Sequence, residues 1–385
     1  MSSEIDHRPG SVAGPWTVPE YPERPVYAMV PKCYHPGRPA GLFFFMHGGD
    51  RDSTPDQPFK TYLNPETGCL RPHIDDIPFI TVAPSALPAV DGKRWNRAGV
   101  SAFILAVIED VCRKFDIDRD RMILGGHSMG GFGAYHQGAL LADRFAGLWL
   151  SAGAWLEEDF TAMLGTGIYI MHGKYDCALH YRGGHKEPRH HDWCGISFAR
   201  AAHELMLRDD VPHVYDEHDG GHGLDWEPSQ MALDRFLRWA VRQKRAPYAP
   251  RCAVVTPNGS CDPDLEPCLK SRWLEILETV PGEIGLDKIM LTGPNIAWTI
   301  DELNAQDYYL KKAAYPGAKI LAENLGNNHF RFETRNVRKF VFRLHPVMAD
   351  LSKPVRAEID GKTHEFRPEP DLSHPDYTAK ITAGC

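Results

Sequence analysis

The chain has no run of apolar residues long enough to span a bilayer as a helix, which excludes a helical membrane protein. It has no excess of positive charge either. With Lys+Arg at 43 against Asp+Glu at 51, the formal net charge is −8, and neither nucleic acid nor an anionic membrane is expected as a partner. Its nine cysteines are an odd number with no C-x-x-C pair, so a disulfide framework is not expected, although one or two bridges would be compatible. Internal repeats and low-complexity tracts are missing. The first ten residues are polar and lack a signal-peptide pattern, so a cytoplasmic location is expected, or a secreted one if a leader has been removed.

What remains is an ordinary globular composition, 43% apolar and 24% charged. At 385 residues the chain is long for one core, and two domains are expected. Eight prolines before residue 40 imply an extended lead-in with one or two edge strands, such as residues 26–30. Residues 41–46 (Gly-Leu-Phe-Phe-Phe-Met) and 78–84 are continuous apolar runs, the pattern of parallel strands buried on both faces. An amphipathic helix over 101–115 follows, with Phe103, Leu105, Ala106, Ile108, Val111 and Cys112 as its apolar stripe. Strands at 121–125, 146–152 and 167–171 and helices at 196–207 and 228–243 complete a doubly wound α/β pattern. At Ala246-Pro-Tyr-Ala-Pro-Arg251 the period changes to two, and Asp360-Gly361 offers a hairpin turn. The expected organisation is a catalytic α/β domain over 1–248 and a smaller antiparallel β-sandwich-like domain over 249–385.

The chemistry concentrates at Gly126-His-Ser-Met-Gly130, between an apolar strand and a small-residue helix. A serine on such a strand-to-helix turn is a nucleophile elbow, and the flanking glycines are needed because the turn is too tight for Cβ atoms. A serine hydroxyl needs a base to take its proton and a third group to orient that base. The strand at 167–171 runs into His172-Gly-Lys-Tyr-Asp176, and a later strand runs into Glu217-His-Asp-Gly-Gly-His222. Ser128 is therefore expected as nucleophile, His222 as general base and Asp176 as the carboxylate that orients it. His218 competes with His222, and Asp192, Asp209 or Asp216 with Asp176. For the oxyanion, the Met129 N–H is one expected donor, and Gly48 or Gly49, in the turn after the strand at 41–46, supplies the other. The base implies a rate lost as pH falls through the His222 pKa, near neutrality.

Two weaker features complete the list. Trp95, Trp155, Trp193 and Trp226 lie in loops that follow predicted strands, where such sheets build their ligand crevice, and are candidate substrate walls. Ordinary packing is the plainer reading of each one alone. Cys177, His180, His185, His190, His191, Asp192 and Cys194 crowd one loop, but their spacing matches no standard zinc pattern. A solvated lid is expected there, with no metal and no cofactor.

Several motifs carry a resemblance to a known group. Tyr34-His-Pro-Gly-Arg-Pro ahead of His47-Gly-Gly, Phe115-Asp-Ile-Asp-Arg-Asp-Arg121 and Gly125-Gly-His-Ser-Met-Gly-Gly-Phe-Gly-Ala134 are three of them. Arg144-Phe-Ala-Gly, His172-Gly-Lys-Tyr-Asp and Glu217-His-Asp-Gly-Gly-His continue the series. Over residues 25–245 the chain resembles the feruloyl/acetylxylan esterase and polyhydroxyalkanoate depolymerase branch of the α/β-hydrolases. The later half, at Asn336-Val-Arg-Lys-Phe and Lys353-Pro-Val beside Asp360-Gly-Lys, resembles the β-rich extension of some esterases of this type. The resemblance implies a serine carboxylic-ester hydrolase with small-molecule or polysaccharide ester substrates, hydroxycinnamoyl or acetyl esters first. A serine peptidase of the prolyl-oligopeptidase type and a non-catalytic glycan- or protein-binding module are the alternatives.

Overall fold

The computed structural model describes residues 7–49, 54–155, 157–176, 189–191, 194–257 and 268–385. Its main sheet has eight strands, introduced here with the helices between them. They are β1 (Val12–Val18), β2 (Tyr21–Met29), β3 (Ala40–Met46), α1 (Arg71–Ile74), β4 (Phe79–Pro84), α2 (Val100–Lys114), β5 (Ile117–His127) and α3 (Met129–Leu141). Then come β6 (Gly147–Ser151), β7 (Gly167–Gly173), a short β8 (Arg189–His190) outside this sheet, α4 (Ile196–Arg208), β9 (Val214–His218) and α5 (Glu227–Ala240). The strand order is β1-β2-β4-β3-β5-β6-β7-β9. The first two strands run antiparallel to their neighbours, and β4 through β9 are parallel.

The alternation within β3 builds both cores. Leu42, Phe44 and Met46 face one side, with Phe103 of α2, Ala134 of α3 and Phe198 of α4 in the same cluster. Phe43 and Phe45 face the other, with Ile74 of α1 and Leu233 and Phe236 of α5. All seven β3 residues are buried, as expected of a strand covered on both faces. In α2 the buried stripe is Val100, Phe103, Ile104, Val107, Ile108 and Val111. That set follows the 3.6-residue period, whereas Leu105, Ala106 and Cys112, placed on the stripe by the sequence, are only partly covered at its flank.

After α5 the chain builds β10 (Arg251–Thr256), β11 (Lys270–Ser271), β12 (Leu274–Thr279), β13 (Glu283–Thr292), β14 (Ile296–Ala297), α6 (Ile300–Asn304) and β15 (Asp307–Pro316). It ends with β16 (Ala318–Gly326), β17 (His329–Arg335), β18 (Val337–Leu344), β19 (Val355–Ile359), β20 (Lys362–Phe366), β21 (Glu369–Pro370) and β22 (Ala379–Gly384). Two five-stranded sheets, β10-β16-β17-β19-β20 and β11-β12-β18-β22-β21, share a core of Val254, Trp273, Phe330, Phe332, Phe340 and Phe342. The sandwich is not wholly antiparallel, because β17 and β19 pair in parallel. The hairpin β19–β20 turns at Asp360 (φ 48°) and Gly361 (φ 80°), the left-handed pair that the Asp-Gly dipeptide suits.

One element leaves the sandwich. Strands β13 and β15 pair over their full lengths, from Glu283↔Pro316 to Thr292↔Asp307, as a two-stranded arm about 30 Å long. Ile284 and Leu286 are buried in the first core of the main sheet, and Ile289, Leu291, Tyr308 and Leu310 pack against it. Arg208 of α4 holds Asp287 with two hydrogen bonds (2.8 and 3.1 Å), and Tyr308 donates to Glu204 of the same helix (3.1 Å). A cavity of about 220 Å³ lies along this seam, lined by Glu158, Arg208, Asp287, Lys312 and Lys319. Its cations are ion-paired, Arg208 and Lys312 with Asp287 and Lys319 with Asp159, and no residue of the serine site lines it.

Candidate active site

Ser128 stands between β5 and α3 with φ 59° and ψ −122°, a backbone conformation that an L-residue adopts only under constraint. The constraint is local. The Ser128 N–H donates to the Ser151 carbonyl (3.1 Å), and the Ser128 carbonyl accepts from Gly131 (2.7 Å) and Phe132 (3.1 Å). A Cβ at Gly130 would fall inside 3.0 Å of the Met46 carbonyl oxygen, and one at Gly126 inside 3.0 Å of the Gly130 carbonyl oxygen. The elbow therefore needs glycine on both sides of the serine.

The acid and base loops are bonded to each other. The Lys174 N–H donates to the His218 carbonyl (2.8 Å) and the Tyr175 N–H to the Gly220 carbonyl (3.0 Å). This brings His222 between Ser128 and Asp176. His222 Nε2 lies 2.8 Å from Ser128 Oγ, and Nδ1 lies 2.7 Å from Asp176 Oδ1. The carboxylate accepts, so Nδ1 carries the proton and Nε2 is left to accept from the serine hydroxyl. Asp176 is fully buried, while the His222 side chain is 31% exposed and Ser128 half-buried.

Burial works against charge on both partners, and pairing overcomes it. Burial raises the Asp176 pKa, but the charge of His222, the close His172 ring and the hydrogen bond from His222 hold it well below the usual carboxylate range. Burial likewise lowers the His222 pKa, yet the Asp176 charge and hydrogen bond push it up to about 9. A base at this position titrates above the near-neutral range of an unperturbed histidine.

The competing residues are engaged elsewhere. His218 Nδ1 accepts from the Gly220 N–H (3.2 Å), and burial lowers its pKa to about 4. Asp216 is taken by Tyr169 (2.5 Å) and Arg235 (2.6 and 2.9 Å), and Asp209 by Arg208 (2.8 Å). Asp192 lies outside the described residues.

For the oxyanion donors, Met129 is the first residue of α3, so its N–H has no intrahelical acceptor. Gly48 lies against the nucleophile, where its Cβ would be 3.1 Å from Ser128 Cβ. Its N–H, however, donates to the Tyr62 hydroxyl (3.0 Å), which corrects its expected role as a donor. Gly49 is exposed with φ 130°, and its N–H has no acceptor among the described residues. The turn is fixed by His47, which donates from Nδ1 to the Gly48 carbonyl (2.8 Å) and accepts at Nε2 from Ala86 (3.0 Å). Burial lowers the His47 pKa to about 4, so it stays neutral in this role.

Two of the proposed substrate walls are core residues. Trp95 is fully buried and donates to the His47 carbonyl (3.1 Å). Trp155 is fully buried and donates to the Phe198 carbonyl (2.8 Å). Neither reaches a cleft, because each indole packs inward under its own loop. Trp226 is partly exposed and packs against the turn that carries His222, close to Gly221 and Gly223. Trp193 lies outside the described residues, as do Cys177, His180 and His185 of the His-rich loop. Among the described residues no group of three or more His, Cys, Asp or Glu is arranged to hold a metal ion. The seven described cysteines are free thiols, and no described helix is long and apolar enough to cross a membrane.

The sequence did not single out three residues beside the triad. Tyr62 takes the Gly48 N–H. His127, inside the elbow, is buried with Nδ1 3.1 Å from Ser151 Oγ, and its ring centroid is 5.1 Å from that of His222. Burial, then the charge of His222, lower its pKa to about 3. His172 is buried with Nε2 2.9 Å from Asp176 Oδ2. Only the Gly-His-Ser and His-Gly-Lys-Tyr-Asp strings hint at the two histidines.

No family model matches the sequence, and no curated protein does. Similar solved structures include a thermostable esterase (18% identity, 59% of this chain and 61% of that chain, TM-score 0.43). This chain thus spans less than two thirds of that esterase's length. Others are a ferulic acid esterase from Anaeromyces mucronatus (16% identity, 59% of this chain and 87% of that chain, TM-score 0.42) and an S-formylglutathione hydrolase from Agrobacterium tumefaciens (15% identity, 63% and 98%, TM-score 0.44). These likenesses are weak, and the fold is read from its own strand order. An antiparallel pair leading a parallel run, with a strained serine between the fifth strand and the next helix, is the α/β-hydrolase fold.

Proposed function

We propose that this protein is a serine carboxylic-ester hydrolase working through an acyl-enzyme. The observation that carries the reading is the unbroken hydrogen-bonded line from Ser128 Oγ through His222 to the buried Asp176, with the serine held at a strained elbow. In the proposed cycle, His222 Nε2 takes the Ser128 proton as Oγ attacks the ester carbonyl, and the imidazolium is stabilised by Asp176. The Met129 N–H at the α3 N-terminus and the Gly49 N–H hold the oxyanion. His222 then gives the proton to the departing alkoxide, which leaves as an alcohol. Water, deprotonated by the same nitrogen, adds to the acyl-serine, and the acid is released as Ser128 regains its proton. No step requires a cofactor.

Hydroxycinnamoyl or acetyl esters of plant polysaccharide are the proposed natural substrates, supported by the motif resemblance over residues 25–245. The test is hydrolysis of p-nitrophenyl acetate and methyl ferulate by wild type and Ser128→Ala. Turnover by wild type and its loss in a folded Ser128→Ala variant are expected. Equal rates in both proteins would refute the nucleophile, and a preference for aminoacyl amides over esters would turn the reading toward a peptidase.

A further inference from the structure

Asp176 is a buried carboxylate with two oxygens to satisfy, and His222 serves only Oδ1. The other oxygen faces His172. His172 Nε2 lies 2.7 Å from the Cys194 carbonyl and 2.9 Å from Asp176 Oδ2. Both neighbours are acceptors, so Nε2 carries a proton; its hydrogen bond goes to the Cys194 carbonyl, and the carboxylate oxygen stands beside that bond, in electrostatic contact with the polarised N–H. The position of the Cys194 carbonyl thus sets the angle of the ring whose positive edge supports Asp176.

The arm holds the chain on both sides of Cys194. The tip of the arm pairs with the loop that precedes it: Ile296 is registered with His190 and Ala297 with Arg189. The His191 N–H donates to the Asn295 carbonyl (2.8 Å), and His191 Nε2 donates to the Asp307 carbonyl (2.8 Å). The His191 side chain is buried, and α4 begins at Ile196, two residues beyond Cys194. The arm grips α4 at its far end too, through Arg208–Asp287 and Glu204–Tyr308. Cys194 thus stands in the chain between His191, which the arm tip holds, and α4, which the arm also braces.

We propose that the β13–β15 arm positions the Asp176 carboxylate through His191, the Cys194 carbonyl and His172, which makes His172 a positioning residue of the Ser128 site. This rests on the esterase reading above. It gives the β-rich region a part in the reaction although none of its described residues is hydrogen-bonded to the triad, and it makes the acid side of the site dependent on the two regions staying docked.

The test compares full-length His172→Leu, His172→Gln and His191→Ala with wild type and Ser128→Ala on p-nitrophenyl acetate, with Tm measured for each. Gln keeps an N–H donor near the Nε2 position and Leu removes it. The expected signature is a loss of about 10- to 100-fold in kcat for His172→Leu, KM within about twofold, and recovery of most of the loss in His172→Gln. His191→Ala should lower kcat in the same way by a smaller factor. Wild-type kcat in folded His172→Leu overturns the proposal, as does a loss that His172→Gln shares in full. If His172→Leu does not fold, wild-type kcat in His191→Ala overturns the coupling to the arm. Turnover by Ser128→Ala would instead refute the esterase reading itself, so the two failures are distinguishable.

Discussion

Replacing Asp176 with Asn keeps the shape of the side chain and removes the charge that raises the His222 pKa. The size of the effect can be worked from the site. Asp176 lifts His222 from 6.5 to about 9 against the opposing pull of burial, which corresponds to roughly 3 kcal/mol favouring the imidazolium. The attack step converts His222 from neutral to charged, so losing that preference slows kcat by about 10²-fold. Asn also offers an N–H to a ring nitrogen that must keep its own proton, and a turned tautomer would extend the loss toward about 10⁴-fold. The pH dependence carries the sign. His222 must be neutral to accept the serine proton, so kcat/KM rises with pH through its pKa, with an acid-limb midpoint in wild type well above 6.5. In Asp176→Asn the lowering by burial is left uncompensated, and the midpoint moves to 6.5 or below while the plateau drops. The assay is kcat/KM on p-nitrophenyl acetate from about pH 5 to pH 10, with Tm as a folding control. An acid limb that stays in place in folded Asp176→Asn would refute the reasoning.

Two further outcomes follow from packing. Gly130→Ala places a methyl group against the Met46 carbonyl, which is backbone and cannot swing aside; a loss of at least 2–3 kcal/mol is expected by denaturant titration, and a wild-type unfolding midpoint would contradict the elbow geometry. Trp155→Phe removes a buried indole and its hydrogen bond to Phe198, so Tm should fall, by an amount corresponding to about 1–3 kcal/mol, while KM for methyl ferulate stays within about twofold. A raised KM with unchanged Tm would return Trp155 to the substrate wall.

What the sequence revealed of the site is what short-range sterics and chain order decide. Gly126 and Gly130 can be read as elbow residues because the contacts that exclude a Cβ follow from the turn itself. Asp176 and His222 can be read because each ends a strand of the same sheet, and neighbouring strand ends converge. The unread parts depend on partners far away in the chain. The Gly48 N–H is spent on Tyr62, 14 residues on, and nothing in His-Gly-Gly signals it. Trp95 and Trp155 sit in loops, and a loop position does not fix whether an indole turns inward to a carbonyl or outward to solvent. The arm is not legible in the sequence because its strands mix Lys311, Lys312 and Lys288 with Leu286, Ile289 and Leu310, which blurs the period-two signal. Its purchase on α4 and on residues 189–191 is a purely tertiary fact. The α2 stripe shifted for a simpler reason, since the helix begins at Val100 and the period counted from there selects Ile104 and Val107.

The measurement that bears most directly on the central claim is trapping of the acyl-enzyme. Wild type mixed with p-nitrophenyl acetate and quenched in acid should show a burst of one equivalent of p-nitrophenolate and the mass gain of one acetyl group. Peptide mapping should place that group on Ser128, and Ser128→Ala should show neither burst nor label. Steady turnover with the acetyl group on another residue, or turnover undiminished in Ser128→Ala, would contradict the account.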